Sequence, residues 1–488
     1  MSLIMINLVV LNEKTKTSPS RCTRLSFMAA KITKIGQTSD KISARGGLPL
    51  FLRYVEQIGL YSMISGVILP HILQTNKGLQ LQSFLKQIIA FFIDGSNMAI
   101  SGFDQSKKDD TYASLLECAP KQLASSHQIK RYFQKLSLIN NMIFNYILHE
   151  LFIWRLKMTE PRVIELGIDT MVLDNDDAKK REGCEATYKN KKGFQPLHIS
   201  WTIYLIDVFF RKGSAHSNHG NDYIERVSLV VKLIRKRYST HVPIIIRSDS
   251  GFCDQKAFKV FEDDLNIHYI TTGKLYPNIK EHLQGVDLES GGTIEKGKAI
   301  WKFIEFGNKL GSWKKFRRCI FTHLERDYDG QYVMNFDNPD SVIYTNIGNC
   351  PKADQMLRDA GGDHYFEASF IVKKSHQRGA DELIHRSLKE FATKEQLPFK
   401  SFGMNRAYYF LMVITHFLFE TYKQDVTAQV IPKSVYPETF RRKLIDFAVK
   451  IVSHARQTIL KVTTSVYNSI NINALWILCQ SPPRIQYT

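Results

Sequence analysis

Paired cysteines are absent from this sequence of 488 residues. Its seven cysteines are scattered singly, and no Cys-x-x-Cys pair occurs. This spacing argues against a structural zinc site and against a disulfide framework. Single, scattered cysteines are typical of proteins in a reducing cytoplasm, which is the location that we expect.

Long hydrophobic runs are also missing. The longest apolar stretch, AYYFLMVITHFLF at residues 407–419, is shorter than the ~20 residues that span a bilayer, and it contains His416. It predicts a buried helix. The opening MSLIMINLVVL lacks a basic leading region and a small-residue cleavage site, so we expect neither a secretory signal nor a membrane partner.

Acidic residues are scarce relative to basic ones. The chain has 47 Asp and Glu against 66 Lys and Arg, a formal net charge of +19. A surplus of this size predicts a polyanionic partner, most commonly nucleic acid. A lysine-rich surface that serves only solubility is the alternative explanation.

The apolar spacing changes along the chain and predicts several regions. Helical spacing dominates residues 46–160, and the order strand, strand, helix, strand, helix, strand that follows predicts a mixed α/β fold. The expected divisions are a loosely ordered lead segment (1–45), a helical DNA-binding region (46–160), the first part of a catalytic core (161–273), a mostly β insertion (274–365), the remaining core helices (366–425) and a basic helical C-terminal region (426–488).

Two strand-like stretches each lead to an aspartate. PRVIELGIDT predicts a strand that ends at Asp169, and VPIIIRSDSGF predicts a strand over 243–247 that leads to Asp249. Asp, Ser and Gly are common where a strand ends, so a simple turn is one interpretation. The other is a metal site, because two strand-end carboxylates and Glu382 from a later helix would suit a pair of Mg²⁺ ions.

The helix predicted around Glu382 carries two basic residues near the acid. Arg378, Glu382 and Lys389 stand at i, i+4 and i+11, within about 40° of one another on an α-helix. One face would therefore present an acid flanked by two cations, which suits a metal ion and DNA phosphates. The alternative is an exposed Arg–Glu pair on a solvated helix.

Two basic segments are further candidates for DNA contact. YKNKKGF places Lys189, Lys191 and Lys192 beside two aromatic residues, and a lysine-rich hairpin turn is the alternative. ASSHQIKRYFQKL offers Ser125 or Ser126 as a helix N-cap, followed by Lys130 and Arg131. Basic amphipathic helices are common, so this second segment also fits an ordinary surface helix.

The motifs IIIRSDSGF, QRGADELIHRSLK and REGCEATYKNKKGFQPL together resemble the core motifs of bacterial insertion-sequence DDE transposases. The most similar group is the thirteen-eighty family, which carries a β insertion between the second Asp and the Glu. The resemblance runs from about residue 30 to 460. It implies a ribonuclease-H-like core, Mg²⁺ dependence with Mn²⁺ as a substitute, and excision and transfer of a DNA element flanked by inverted repeats.

The resemblance also implies roles for single residues. Asp169, Asp249 and Glu382 match the three acids, and Arg378 and Lys389 match the Arg and Lys of the related Tyr-Arg-Glu-Lys signature. The tyrosine position of that signature is Ser375 here, which puts a tyrosine–phosphate contact in doubt. The partners implied are double-stranded DNA, at the terminal inverted repeats and the target, and a second copy in a DNA-bridged homodimer associated with a bacterial nucleoid.

Three alternatives stay open from the sequence. Asp174, Asp176 or Asp177 could replace Asp169 as the first acid, although a strand end holds a ligand more rigidly than a loop does. The chain could be a nuclease on the same core that does not join DNA. It could also be a DNA-binding protein derived from a transposase that no longer catalyses.

Overall fold

The computed structural model of the chain describes residues 32, 34–74, 78–217, 219–309, 311, 313–333, 340–377, 379–391, 396–455 and 457–486. The chain divides into two units, Met1–Asp40 and Lys41–Thr488. Residues 34–39 of the first unit have no regular secondary structure. Most of the lead segment predicted over 1–45 lies outside the described residues.

The second unit begins with a short strand and a series of helices. These are β1 (Lys41–Ser43), α1 (Leu48–Gln57), α2 (Leu60–Ile68), α3 (Leu81–Asp94), α4 (Gly102–Ser106), α5 (Asp110–Leu115), α6 (Ser126–Leu136) and α7 (Asn141–Thr159). The side chain of Ser125 caps α6 by accepting the N–H of Gln128, and the side chain of Asn140 caps α7. These two caps explain why one long helical pattern in the sequence folds as two helices.

Strands and helices then alternate. The elements are β2 (Ile164–Thr170), β3 (Leu173–Asp174), β4 (Glu185–Ala186), β5 (Lys192–Phe194), β6 (Leu197–Trp201), β7 (Tyr204–Phe209), α8 (Asp222–Arg237), β8 (Ile244–Ser248), α9 (Gln255–Lys259) and β9 (His268–Gly273). Strands β3, β5 and β4 form a small separate sheet. The strand β8 lies one residue further along the chain than the sequence predicted.

The next segment adds further strands. It contains α10 (Pro277–Leu283), β10 (Gly292–Lys296), β11 (Ala299–Asn308), β12 (Arg317–Arg326), β13 (Ser341–Thr345) and α11 (Pro351–Asp359). Strand β13 pairs with β9, so this β-rich segment extends the central sheet and does not form a sheet of its own.

Nine strands of the described chain form the central sheet, in the order β10-β11-β12-β13-β9-β8-β2-β6-β7. Strand β8 is parallel to both β2 and β9, while the other neighbours are antiparallel. Strands β2 and β8 are rich in isoleucine and mostly buried, as expected for parallel strands covered on both faces.

Three helices follow the β-rich segment. They are α12 (Ala368–His376), α13 (Gly379–Lys389) and α14 (Phe402–Asp425). Almost all of α14 is buried against α3, α6, α7 and β7, so the prediction of a buried helix at 407–419 is confirmed. Across the described residues, none of the helices combines the length and the apolar character needed to cross a membrane.

The C-terminal region differs from its predicted helical character. It contains α15 (Pro437–Phe440), β14 (Val449–His454), β15 (Gln457–Val462), α16 (Thr464–Ser469) and α17 (Ile472–Gln480). The prediction of a helical region over 426–488 is therefore wrong for 449–454 and 457–462, two strands that pair with each other, and the first of them also pairs with β1. The reason is that Val449 and Ile451 are both buried with the exposed Lys450 between them, a spacing that suits a strand with one buried face.

Candidate active site

Asp169 and Asp249 stand at matching positions on two neighbouring parallel strands. Ile168 of β2 is the register partner of Ser248 of β8, and each aspartate is the next residue. Asp249 keeps an extended backbone, with φ −88° and ψ −179°, so it continues the direction of its strand. Because strands lie ~4.8 Å apart and side chains alternate between faces, the two carboxylates leave the same face side by side.

Both carboxylates are partly exposed and are held by backbone groups. Oδ1 of Asp169 accepts the N–H of Thr170 at 2.7 Å, and Oδ1 of Asp249 accepts the N–H of Gly251 at 2.8 Å. The interpretation of VPIIIRSDSGF as a strand followed by a turn is therefore correct, since Asp249 caps the short helical turn that follows β8. This capping role leaves the interpretation as a metal site open.

Helices α12 and α13 cross this same face of the sheet. The Oγ atom of Ser375 in α12 lies 3.4 Å from Oγ1 of Thr272, the residue of β9 at the register position beside Asp249. The Nδ1 atom of His385 in α13 lies 3.8 Å from Oδ2 of Asp169. Glu382 lies between these two anchors along the chain, one helical turn before His385, so its helix is held over the strand ends.

Glu382 itself is exposed, and Lys389 stands seven residues later on the same side of α13. Arg378 lies outside the described residues. Within the part of the chain that the structure describes, no three His, Cys, Asp or Glu side chains are grouped so that they could hold a metal ion. The structure thus brings together two of the three predicted acids and places the third on the adjacent helix.

The paired aspartates fit a magnesium site. They supply hard carboxylate oxygens at one sheet edge, with partial exposure that leaves room for water and phosphate. The exposed position of Glu382 means that a complete three-carboxylate ligand set would need its side chain to turn toward the strand ends.

Two histidines connect Asp169 to the protein core, and sequence analysis missed both: His198 is buried, and the side chain of His385 is 13% exposed. His198 lies opposite Asp169 in the pairing of β6 with β2. Its Nδ1 is 3.0 Å from Nε2 of His385, and its Nε2 is 2.7 Å from the hydroxyl of Tyr409. The only signal in the sequence was the position of His385, three residues after Glu382 and therefore near the same helix face.

Both imidazoles are in surroundings that favour their neutral form. Burial, together with the charges of Lys389 and Lys189, lowers the pKa of His385 to about 4. Burial also lowers the pKa of His198 well below its usual range, and the adjacent His385 adds to the effect. Neutral imidazoles at these positions can each donate one hydrogen bond and accept another.

The alternative first acids lie elsewhere and are engaged in local contacts. Asp174 and Asp176 form ion pairs with Lys191 at 3.8 and 3.7 Å, and Oδ1 of Asp176 accepts the N–H of Lys192. Asp177 accepts a hydrogen bond from Gln396. These three acids lie at the end of β3 and in the turn that follows it, and not at the ends of β2 and β8.

The predicted lysines of YKNKKGF are exposed at the tip of the β4–β5 hairpin. The charge of Lys189 contributes to the lowered pKa of His385, so this lysine lies within electrostatic reach of the ring that contacts Asp169. Lys191 is instead paired with two acids, as described above. Lys130 and Arg131 are exposed on α6, whereas the aromatic residues that follow them are buried.

A cavity of about 470 Å³ opens on the same face of the sheet. Arg247 lines it from β8, two residues before Asp249, and Lys296 lines it from the end of β10. Burial and the charge of Lys296 lower the pKa of His376, another lining residue, to about 4. Glu165, which also lines the cavity, offsets part of this positive charge, since its carboxylate lies 3.8 Å from Nε of Arg247 and 2.6 Å from the ammonium of Lys374. The result is a basic recess beside the paired carboxylates.

Comparison with known proteins identifies the family. The model of the transposase DDE domain group 1 matches residues 27–478, nearly the whole chain, so the chain belongs to this family of DDE transposases. No curated protein matches the sequence. The chain is also similar to a solved structure, a cryo-EM structure of a piggyBac transposase synaptic complex with hairpin DNA. The two sequences are 13% identical, the match covers 82% of this chain and 79% of the piggyBac chain, and the TM-score is 0.38.

Proposed function

We propose that this protein is an insertion-sequence transposase, of the thirteen-eighty type, that cuts and joins phosphodiesters at inverted-repeat ends. Asp169, Asp249 and Glu382 are its metal-binding residues, and Mg²⁺ or Mn²⁺ is its cofactor. The register pairing of β2 with β8 carries this proposal, because it sets the first two acids side by side on one face. Membership of a DDE transposase family, whose members use divalent metal ions, supports the same chemistry.

The core is proposed to be ribonuclease-H-like. Its support is the order β7-β6-β2-β8-β9, in which three antiparallel strands are followed by two parallel ones. Strands β10–β13 would then be the insertion that precedes the third acid. In this arrangement the first acid comes from the central strand and the second from its parallel neighbour.

The chain's own residues would orient the substrate. When bound, a pair of divalent ions would activate the attacking oxygen and neutralise the leaving one. Asp169 and Asp249 would hold their carboxylates rigidly at the strand ends, and α13 would bring Glu382 to them. Lys389, Lys189 and Lys192, with Arg378, would position phosphates around that point, and the basic recess at Arg247 and Lys296 would receive DNA beside it.

Binding of the two DNA ends would involve the helical N-terminal region. Lys130 and Arg131 are exposed on α6, as a phosphate contact requires. Two ends need two active sites, so a homodimer bridged by the terminal repeats, on the bacterial nucleoid, is the proposed working state. Target DNA would enter the same site after cleavage.

The test is an assay on the DNA that flanks the element, in the presence of Mg²⁺ and a target plasmid. Joined product supports the proposal, nicks without joining would indicate a nuclease, and a gel shift without cleavage would indicate a binding protein. Asp249→Asn should abolish cleavage and keep DNA binding. Asp254→Asn is the matched control, because Asp254 is also partly exposed and caps α9, a role that Asn fills equally well.

A further inference from the structure

Tyr409, His198, His385 and Asp169 form a continuous row from the buried helix α14 to the end of strand β2. The successive separations are 2.7 Å, 3.0 Å and 3.8 Å. The first two are hydrogen-bond distances, and the third is a close contact that falls short of one. Each member comes from a different element, namely α14, β6, α13 and β2.

We propose that His385 is a positioning residue for the Asp169 carboxylate, and that Tyr409 and His198 fix the direction in which its ring donates a hydrogen bond. The inference rests on the proposed function, in which Asp169 binds a divalent ion. It adds a set of residues that would control that ligand without touching the DNA or the metal.

The donor directions follow from the ends of the row. The Asp169 carboxylate can only accept when ionised, so it favours the tautomer of His385 whose Nδ1 carries a hydrogen facing it across 3.8 Å. Nε2 of His385 is then an acceptor, and Nδ1 of His198 must donate to it. Nε2 of His198 becomes the acceptor for the Tyr409 hydroxyl. One arrangement of hydrogens then satisfies both hydrogen bonds of the row and turns a donor toward Asp169.

The surroundings also keep this arrangement in place. His198 is 1% exposed and Tyr409 is fully buried, so water does not compete for their hydrogen bonds. The rings of His198 and Tyr409 are nearly parallel, with an interplanar angle of 8°. Carboxylates that bind metal ions are themselves oriented by hydrogen-bonding groups outside the set of ligands, which is the role proposed for His385.

The row also attaches the helix that carries the third acid. His385 and Glu382 share α13, so a contact that holds His385 against Asp169 also fixes the distance of Glu382 from the strand ends. The same helix is anchored further along, where Oγ of Ser387 lies 2.9 Å from Nε2 of His416 in α14. The two anchors leave α13 little freedom to rotate about its axis.

Two substitutions of His385 separate orientation from packing. His385→Asn keeps an amide donor near the Nδ1 position and loses the link to His198. His385→Gln keeps a polar group near the Nε2 position and loses the donor that faces Asp169. The measured quantity is Mn²⁺ affinity of the full chain with its terminal DNA, followed by the electron paramagnetic resonance signal of free Mn²⁺. His385→Gln should weaken Mn²⁺ binding about tenfold or more, and His385→Asn should weaken it less.

A third variant acts from the far end of the row. Tyr409→Phe removes only the hydroxyl that directs His198 and should lower Mn²⁺ affinity in the same direction, with little change in DNA binding. Tyr408→Phe is its matched control, because Tyr408 is its neighbour on α14, is 1% exposed and packs against Phe92 and Phe133 instead. Thermal unfolding of each variant shows whether the fold is intact.

The outcomes distinguish this inference from the proposed function. If the wild-type protein binds Mn²⁺ no better than Asp169→Asn does, the proposed metal site itself is wrong. If Asp169→Asn abolishes binding while His385→Gln and His385→Asn bind equally well or equally poorly, only the positioning role is overturned. Equal effects of Tyr409→Phe and Tyr408→Phe would likewise contradict it.

Discussion

The side-chain amide of Asn145 forms two hydrogen bonds with the backbone of Val208. Its Nδ2 donates to the carbonyl oxygen at 2.7 Å, and its Oδ1 accepts the N–H at 2.9 Å. Val208 lies in β7, at one end of the order of strands in the central sheet. Asn145 of α7 therefore takes the place of a neighbouring strand at this position and ties the helical layer to the edge of the sheet.

Replacing this amide should be costly. Asn145→Leu keeps the approximate volume but leaves two buried backbone groups without their partners, at about 1–3 kcal/mol each. We expect the free energy of unfolding, measured by urea denaturation, to fall by about 3 kcal/mol. Asn141→Ala is the control, since Asn141 accepts a single 3.3 Å bond from Phe210 in a less buried place. Similar losses for both variants would contradict this role.

A buried ion pair on the same strand gives a second prediction. Asp207 is 1% exposed, and its carboxylate accepts hydrogen bonds from Arg226 at 2.8 Å and lies 2.8 Å from Nε2 of His149. Burial raises the pKa of Asp207, but the hydrogen bond to His149 and the charge and bonds of Arg226 outweigh it and lower the pKa overall. Arg226→Met should therefore cost about 3–5 kcal/mol of stability, because it leaves a buried carboxylate poorly compensated.

The control for the buried pair of Asp207 and Arg226 is an ion pair on the surface. Lys259 and Asp263 lie one helical turn apart with their charged atoms 3.7 Å from each other, and the lysine side chain is 63% exposed. Lys259→Met should change the free energy of unfolding by under about 0.5 kcal/mol, because solvent screens exposed pairs. If Arg226→Met lowers the free energy of unfolding no more than Lys259→Met does, the buried ion pair contributes no stability beyond that of packing.

Local patterns were enough to predict the strands before Asp169 and Asp249 and the buried helix around residue 410. In each case a run of apolar residues has a length that fits only one type of element. The same patterns could not supply the register of β2 with β8, because pairing between strands 80 residues apart (249 − 169) leaves no mark in either strand's own sequence.

The features that sequence analysis missed also depend on contacts between segments that are far apart in the chain. His198 is a single histidine in an apolar strand and His385 one in a charged helix, and their contact depends on strand β6 meeting helix α13. The hairpin β14–β15 was not predicted because its basic residues suggested a basic helix, and because adjacent apolar pairs such as Ile451 and Val452 interrupt the alternation typical of a strand. The continuity of β13 with β9 likewise depends on pairing across about 70 residues (343 − 272), which spacing cannot reveal.

Two lysines of the β4–β5 hairpin, Lys189 and Lys191, should differ in their contribution to DNA binding. Lys189 is exposed and adds to the positive charge around His385, whereas Lys191 is paired with Asp174 and Asp176. Lys189→Gln should weaken binding of the terminal DNA and reduce the slope of log affinity against log salt by about 1. Lys191→Gln should change both less. Fluorescence anisotropy at several salt concentrations measures the two slopes, and equal slopes for the variants would refute the distinction.

Glu420 provides a prediction on pH. Its carboxylate lies in α14, 2.9 Å from the ammonium of Lys423 and 3.6 Å from Nε2 of His416, which in turn contacts Ser387. Burial raises the pKa of Glu420 to about 7, and the charge and hydrogen bond of Lys423 limit the rise. Burial also lowers the pKa of His416 to about 3, so that ring stays neutral across the range in which Glu420 titrates.

The sign of the effect follows from proton binding. A carboxyl whose pKa rises from 4.5 in the unfolded chain to about 7 in the folded protein binds its proton more tightly when folded. The stability that this provides is fully present below about pH 4.5 and is lost as pH rises through about 7. Glu420→Gln, which resembles the protonated form, should therefore gain stability relative to the wild type by about 3 kcal/mol between pH 4.5 and 8, measured by urea denaturation. Glu295→Gln, at an exposed position on β10, is the control and should show no comparable gain. A wild-type protein that keeps a constant difference from Glu420→Gln over this range would show that the buried carboxyl does not take up a proton on folding.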